Sequence, residues 1–172
     1  MIEFIDTDIL NLPNYGILLH QFNCCGELTN GLPSRISKKF PDWYDDIRKY
    51  TKWWEHAHRS ELLGSTHNFR VNSGKNIICS AFTQVRPPNA QSAQQDTDYN
   101  AWSRVFKKVE YQTRYQNGSN IQKWTVHIPD GLGTFRISTG GLGGGGDPVE
   151  MDKLIRKFFE NSPVELVIHT RS

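Results

Sequence analysis

The 172-residue chain is poor in cysteine: it has three, two of them adjacent at Cys24 and Cys25. That number and spacing make neither a disulfide framework nor a CxxC metal or redox pair, and a reducing, cytoplasmic location is expected. No stretch approaches the ~20 apolar residues of a membrane-crossing helix. The opening MIEFIDTDIL lacks a basic region followed by an apolar run, so no signal peptide is read there. Neither sign of charge dominates, with 20 Lys and Arg against 18 Asp and Glu. This near-balance removes the electrostatic case for a membrane or a general nucleic-acid partner. His56 and His58, two apart, share no helical face and have no acidic company in ligand spacing, so they read as surface residues. No metal and no cofactor is implied. The size is that of one domain over 1–172, large enough for a real core, and a monomer is expected.

Short apolar runs separated by turn residues read as strands at 2–5, 16–22, 68–71, 76–82, 124–128 and 164–169. GILLHQF and NIICSAF are nearly continuous apolar runs, the pattern of strands covered on both faces. Helices are expected at 32–40, 41–54, 98–118 and 147–161, the third stopping at Asn117-Gly118. Strands alternating with helices imply an α/β fold with a largely parallel sheet covered on both sides. The polar segment Gln84–Thr97, QVRPPNAQSAQQDT, reads as a long surface loop.

One stretch is rich in what the rest lacks. STGGLGGGGDP, Ser138 to Pro148, packs six glycines into seven positions. Asp147 is a good N-cap, Pro148 suits the first helical position, and Glu150 sits where a capping-box partner belongs. The glycines therefore lie between a strand and a helix rather than in a linker, where bare backbone N–H groups suit phosphates. No GK[ST] follows, so this is not a P-loop, and its position after the fifth strand excludes the dinucleotide fingerprint. A second turn of this kind, HQFNCCGELTNGLP, offers Asn23, Gly26 and Gly31 between a buried strand and a helix. Together they suggest a cleft with two phosphate-sized walls.

These residues resemble a macro domain, the ADP-ribose-binding three-layer α/β/α fold with a mixed, largely parallel central sheet. DTDIL resembles the family's opening GDIL, which places Asp8, with Ile9 beside it, at the adenine. LLHQFNCCGELTNGLPSRISKKFP resembles the first binding loop and helix, with Asn23 at the distal ribose and Gly26 and Gly31 along the loop. SAFTQ followed by TDYNAW resembles the branch that includes ADP-ribose-1″-phosphate phosphatases, and Gln84 falls in its ligand segment. GGLGGGGD resembles the phosphate-binding loop, which would use Gly141, Leu142, Gly143, Gly144, Gly145 and Gly146. The chain departs from the family pattern at Thr7, which replaces a glycine, at Pro148, which replaces an aromatic, and by an insertion over 130–138.

The resemblance implies ADP-ribose or ADP-ribose 1″-phosphate as ligand. The phosphatase branch carries over as His20 and Asp147, an acid/base group and a water-orienting carboxylate. Read from composition alone, a single histidine inside ILLHQF is a hydrogen-bonded core residue, and Asp147 is a helix cap. Cys24, with no evident activating base, reads as inert. Three activities therefore stand: hydrolysis of ADP-ribose 1″-phosphate to ADP-ribose and phosphate, non-catalytic reading of ADP-ribose or a related signalling nucleotide, and removal of ADP-ribose from a target. The third stays open because the implied fold supports it, although the lysine-dependent mechanism of one hydrolase branch is disfavoured by Gln84 at the lysine's place.

Overall fold

The computed structural model describes residues 1–28, 31–56, 59–85, 97–132 and 147–171, without the side chains of 56, 59 and 60. The expectations for Gly141–Gly146, for most of the 130–138 insertion, for the middle of the Gln84–Thr97 loop and for the His56 and His58 side chains lie outside the described residues.

Six strands form one sheet: β1 (Ile2–Asp8), β2 (Gly16–Asn23), β3 (Thr66–Val71), β4 (Asn76–Gln84), β5 (Thr125–Pro129) and β6 (Leu166–Arg171). Their spatial order is β1-β6-β5-β2-β4-β3. Every pairing is parallel except β3 with β4, a hairpin turned by Asn72, Ser73 and Gly74 at positive φ. The sheet is thus mixed and largely parallel. β2 and β4 are buried almost throughout, because helices cover both their faces.

Helices α1 (Leu32–Lys39), α2 (Pro41–His56) and the short α3 (Arg59–Leu62) cover one face. There Trp43, Ile47 and Ile36 pack on Leu18, Phe22, Ile78 and Phe82. Helices α4 (Tyr99–Ser119) and α5 (Pro148–Phe159) cover the other. There Trp102, Phe106 and Phe159 pack on Leu19, Ala81, Val126 and Leu166. α4 runs one residue past Gly118, and the Asn117 side chain instead ties the connection to β5, donating to Trp124 O at 2.9 Å and accepting from Trp124 N at 2.7 Å.

Neighbouring strands β2 and β5 send their connections to opposite faces, β2 towards α1 and β5 towards α5. Strand ends that part in this way leave a crevice, the place where open α/β sheets hold ligands.

Candidate functional site

Two register shifts lie at the carboxyl edge of the sheet, one between Ile5 and Asp8 in β1 and one between Phe22 and Asn23 where β2 meets β4. Such irregularities re-aim side chains at strand ends. They fall immediately before Asp8 and before the Asn23–Gln84 pair, three of the expected ligand residues.

The Asp8 carboxylate accepts from Leu10 N at 3.0 Å through Oδ1 and from Arg35 Nη2 at 2.6 Å through Oδ2. The Leu10 N–H first, and the Arg35 guanidinium after it, hold this carboxyl below its ordinary value despite some burial. Ile9 is buried in the core, so only its backbone is available to a ligand.

Asn23 organises its own loop. Its Oδ1 accepts from Cys25 N and Glu27 N, both at 3.1 Å, and its Nδ2 donates to Glu27 O at 2.9 Å. That leaves one amide hydrogen for a ligand. Gly26 has φ +72°, and a Cβ there would overlap Thr51 Oγ1 on α2. Gly31 has φ 112° and ψ −148°, a conformation nearly exclusive to glycine, and a Cβ there would meet nothing within 4 Å. It precedes α1, whose amino end has no side-chain cap. Uncapped N–H groups beside open space suit an anion.

Gln84 closes the group. Its backbone O accepts from Cys24 N at 2.9 Å, and Thr97 bridges it from the far end of the long loop. The residue is only 5% exposed, yet its Nε2 has no hydrogen-bond partner among the described residues. An unsatisfied buried donor costs about 1–3 kcal/mol, which a ligand oxygen would recover.

His20, expected as an acid/base group, lies 1% exposed beneath Trp43, between α2 and the sheet. Its Nδ1 faces Gln21 O at 3.1 Å, an acceptor only, so Nδ1 carries the hydrogen. Nε2 must then accept from Ser80 Oγ at 2.7 Å, and that hydroxyl in turn accepts from Trp43 Nε1 at 3.1 Å. Burial pushes the His20 pKa down to about 3. Both ring nitrogens are thus engaged inside the core, the arrangement of a hydrogen-bonded core residue.

Asp147 is exposed at the start of α5 and caps it, Oδ1 accepting from Val149 N at 2.8 Å. The expected capping box is not closed by Glu150. The Asp147 N–H instead donates to the Tyr99 hydroxyl, which itself donates to Asp147 O at 3.2 Å, and Glu150 faces Lys153. Burial raises the Tyr99 pKa, so the phenol keeps the proton it donates. One phenol on α4 thereby fixes both backbone groups of Asp147.

The structure thus joins Asp8, Asn23, Gly26 and Gln84 through strand ends and the first loop, holds Asp147 on the opposite helix layer, and removes His20 to the core. Sequence reasoning missed Arg35, which SRISKKF presents as one more cation on a solvated helix face. It also missed a buried pair. His169 Nδ1 donates to Thr7 O at 3.1 Å, so its Nε2 accepts from His127 Nδ1 at 2.8 Å, and His127 Nε2 accepts from Thr125 Oγ1 at 2.8 Å. Both rings are neutral, and burial lowers the pKa of each, His127 to about 4.

Neither a protein-family model nor a curated protein matches the sequence. Solved structures do match the fold. A Bacteroides thetaiotaomicron protein of unknown function superposes with TM-score 0.76 at 19% identity, over 98% of this chain and 97% of that one. The macrodomain of Mycobacterium tuberculosis DarG matches with TM-score 0.71 at 18% identity, over 100% and 99%. Thermosipho africanus DarTG in complex with ADP-ribose matches with TM-score 0.69 at 15% identity, over 98% of this chain and 41% of that longer one. The chain therefore has the α/β macro-domain fold.

Proposed function

We propose that this chain binds ADP-ribose in the crevice at the carboxyl ends of β1, β2, β4 and β5. The observation that carries the reading is the buried, unpartnered Gln84 amide beside Asn23. A built site accounts for a stranded donor where packing alone would have selected an apolar side chain. In this reading Asp8 accepts from the adenine amino group, the amino end of α1 and the Gly141–Gly146 loop hold the diphosphate, and Asn23 and Gln84 donate to the distal ribose. Thermosipho africanus DarTG, part of which this chain's fold resembles, has been solved in complex with ADP-ribose. Titration calorimetry should give micromolar affinity, about −8 kcal/mol. Gln84→Leu should weaken it roughly tenfold or more, because it removes one donor to the ligand. Absence of any heat at millimolar ADP-ribose would refute the reading.

A second reading adds turnover of ADP-ribose 1″-phosphate. It is favoured by Asp147, whose exposed carboxylate uses only Oδ1 for the cap among the described residues. In this reading Asp147 orients the attacking water. A lysine-dependent removal of ADP-ribose finds Gln84 in place of its nucleophile.

A further inference from the structure

At the opposite end of the sheet, away from the crevice, lies a cavity of about 570 Å³. Its origin is legible along α4. The core-facing stripe of this helix runs Trp102, Val105, Phe106, Val109, all buried and apolar. The buried stripe then continues as Thr113, flanked by the exposed Gln112 and Gln116, and all three line the cavity. The sheet below stays apolar. Ile17 and Ile77, register partners in β2 and β4, and Cys79 form its floor. Both isoleucines are half-buried while most of their strand neighbours are fully buried. Two successive turns of carboxamide thus rim an apolar floor that the helix leaves partly uncovered.

The lining restricts what can fill it. No carboxylate faces the cavity, so a cation would find no counter-charge. One guanidinium does, Arg70, whose bond among the described residues is a long one to Gly74 O at 3.4 Å. It can meet a single anionic group and not a polyanion. Tyr15 and Trp124 stand edge to face at one end, ring centroids 5.4 Å apart. Aromatic rings stack on bases, and carboxamides pair with base edges. Burial pushes the Cys79 thiol up to about 12, so it stays protonated and serves as floor, not as a nucleophile.

We propose that this cavity is a second small-molecule site, taking a nucleoside monophosphate with its base over Ile17 and Ile77 and its phosphate towards Arg70. The size lies within the range of ordinary ligand pockets, roughly 300–1,000 Å³. The test is a titration of isotope-labelled protein with AMP and UMP, with glucose and inorganic phosphate as controls, followed by NMR. The Trp124 indole and the Gln112 and Gln116 side-chain amides should shift and saturate at millimolar nucleotide, with little response to either control. Gln112→Leu with Gln116→Leu should abolish the nucleotide-induced shift of the Trp124 indole with the melting temperature little changed. Arg70→Gln should weaken AMP several-fold and leave adenosine unchanged. The proposal is overturned by nucleotide shifts confined to Gly26 and Gly31, by an equal response to glucose, by no response at all, or by an undiminished Trp124 shift in the folded double leucine variant. ADP-ribose titrated separately reports on Gly26 and Gly31, so failure of the crevice reading is distinguished from failure of this one.

Discussion

His20 and Ser80 meet across the paired strands β2 and β4 with Nε2 2.7 Å from Oγ, and the Trp43 indole donates to the same hydroxyl. The three side chains form a closed relay from α2 into the sheet, ending on Gln21 O. Removing its central acceptor leaves a buried hydroxyl and a cavity. His20→Ala should therefore cost about 2–4 kcal/mol of stability, read by urea unfolding. ADP-ribose affinity of the folded fraction should be unchanged. A catalytic histidine would give the reverse pattern, with stability kept and turnover lost.

Acid should unfold this protein early, and the buried histidines set the window. Folded His20 stays neutral to about pH 3, whereas unfolded histidine binds a proton below its ordinary 6.5. The unfolded state therefore takes up the proton first. Its contribution is complete above pH 6.5 and is lost as pH falls from there towards 3. At pH 5 the loss from His20 alone is about 2 kcal/mol. His127, lowered to about 4, and His169, also lowered, act in the same direction. Unfolding free energies from urea titrations between pH 7.5 and 4.5 should fall as pH drops, with His20 and His127 supplying a slope approaching two protons near pH 5 and His169 adding to it, and His127→Gln should reduce that slope. A flat profile down to pH 5 would contradict the neutral pair.

The sequence carries the sheet well, because GILLHQF and NIICSAF are apolar on both faces and the remaining strands are bounded by turn residues. It does not carry α3, where RSEL has no periodicity and Leu62 anchors the end of the segment in the core. The extension of β3 back to Thr66 is hidden for a related reason, since Thr66 and His67 join the sheet by pairing with Ala81 and Ser80 of β4. At the candidate site, the placing of Asp8, Asn23 and Gly26 at strand ends was legible because short motifs fix them locally. The packing of His20 was not, because its partner Ser80 lies 60 positions away and only the β2–β4 register brings them together. Arg35 and Tyr99 act through Asp8 and Asp147, contacts that no single-strand or single-helix pattern contains.

The two described loop glycines should separate strain from binding. Gly26 combines positive φ with a steric conflict against Thr51, so Gly26→Ala should lower the melting temperature markedly. Gly26→Ala with Thr51→Ala should recover part of that loss. Gly31 has positive φ but open space, so Gly31→Ala should cost only the backbone strain, about 1–3 kcal/mol. Its effect on ADP-ribose affinity should exceed that of Gly26→Ala measured on folded protein, because the new methyl enters the space beside α1. Equal losses of affinity would place the ligand away from Gly31.

Asp147 decides between a reader and an enzyme. As a cap, its carboxylate contributes one bond to Val149 N, which asparagine can also supply. Asp147→Asn should therefore leave stability within ~0.5 kcal/mol, while Asp147→Ala should cost about 1 kcal/mol. Phosphate release from ADP-ribose 1″-phosphate, assayed for wild type and both variants, then isolates the charge. If the carboxylate orients the attacking water, asparagine should lose turnover by ~10²-fold or more with ADP-ribose affinity retained. Wild-type protein that binds ADP-ribose but releases no phosphate is a reader, and Asp147 is then a cap held in place by Tyr99. Tyr99→Phe supplies the remaining control. Without the hydroxyl, the Asp147 backbone loses both its bonds to α4, so any turnover should fall with the loosening of the start of α5 even though the carboxylate remains.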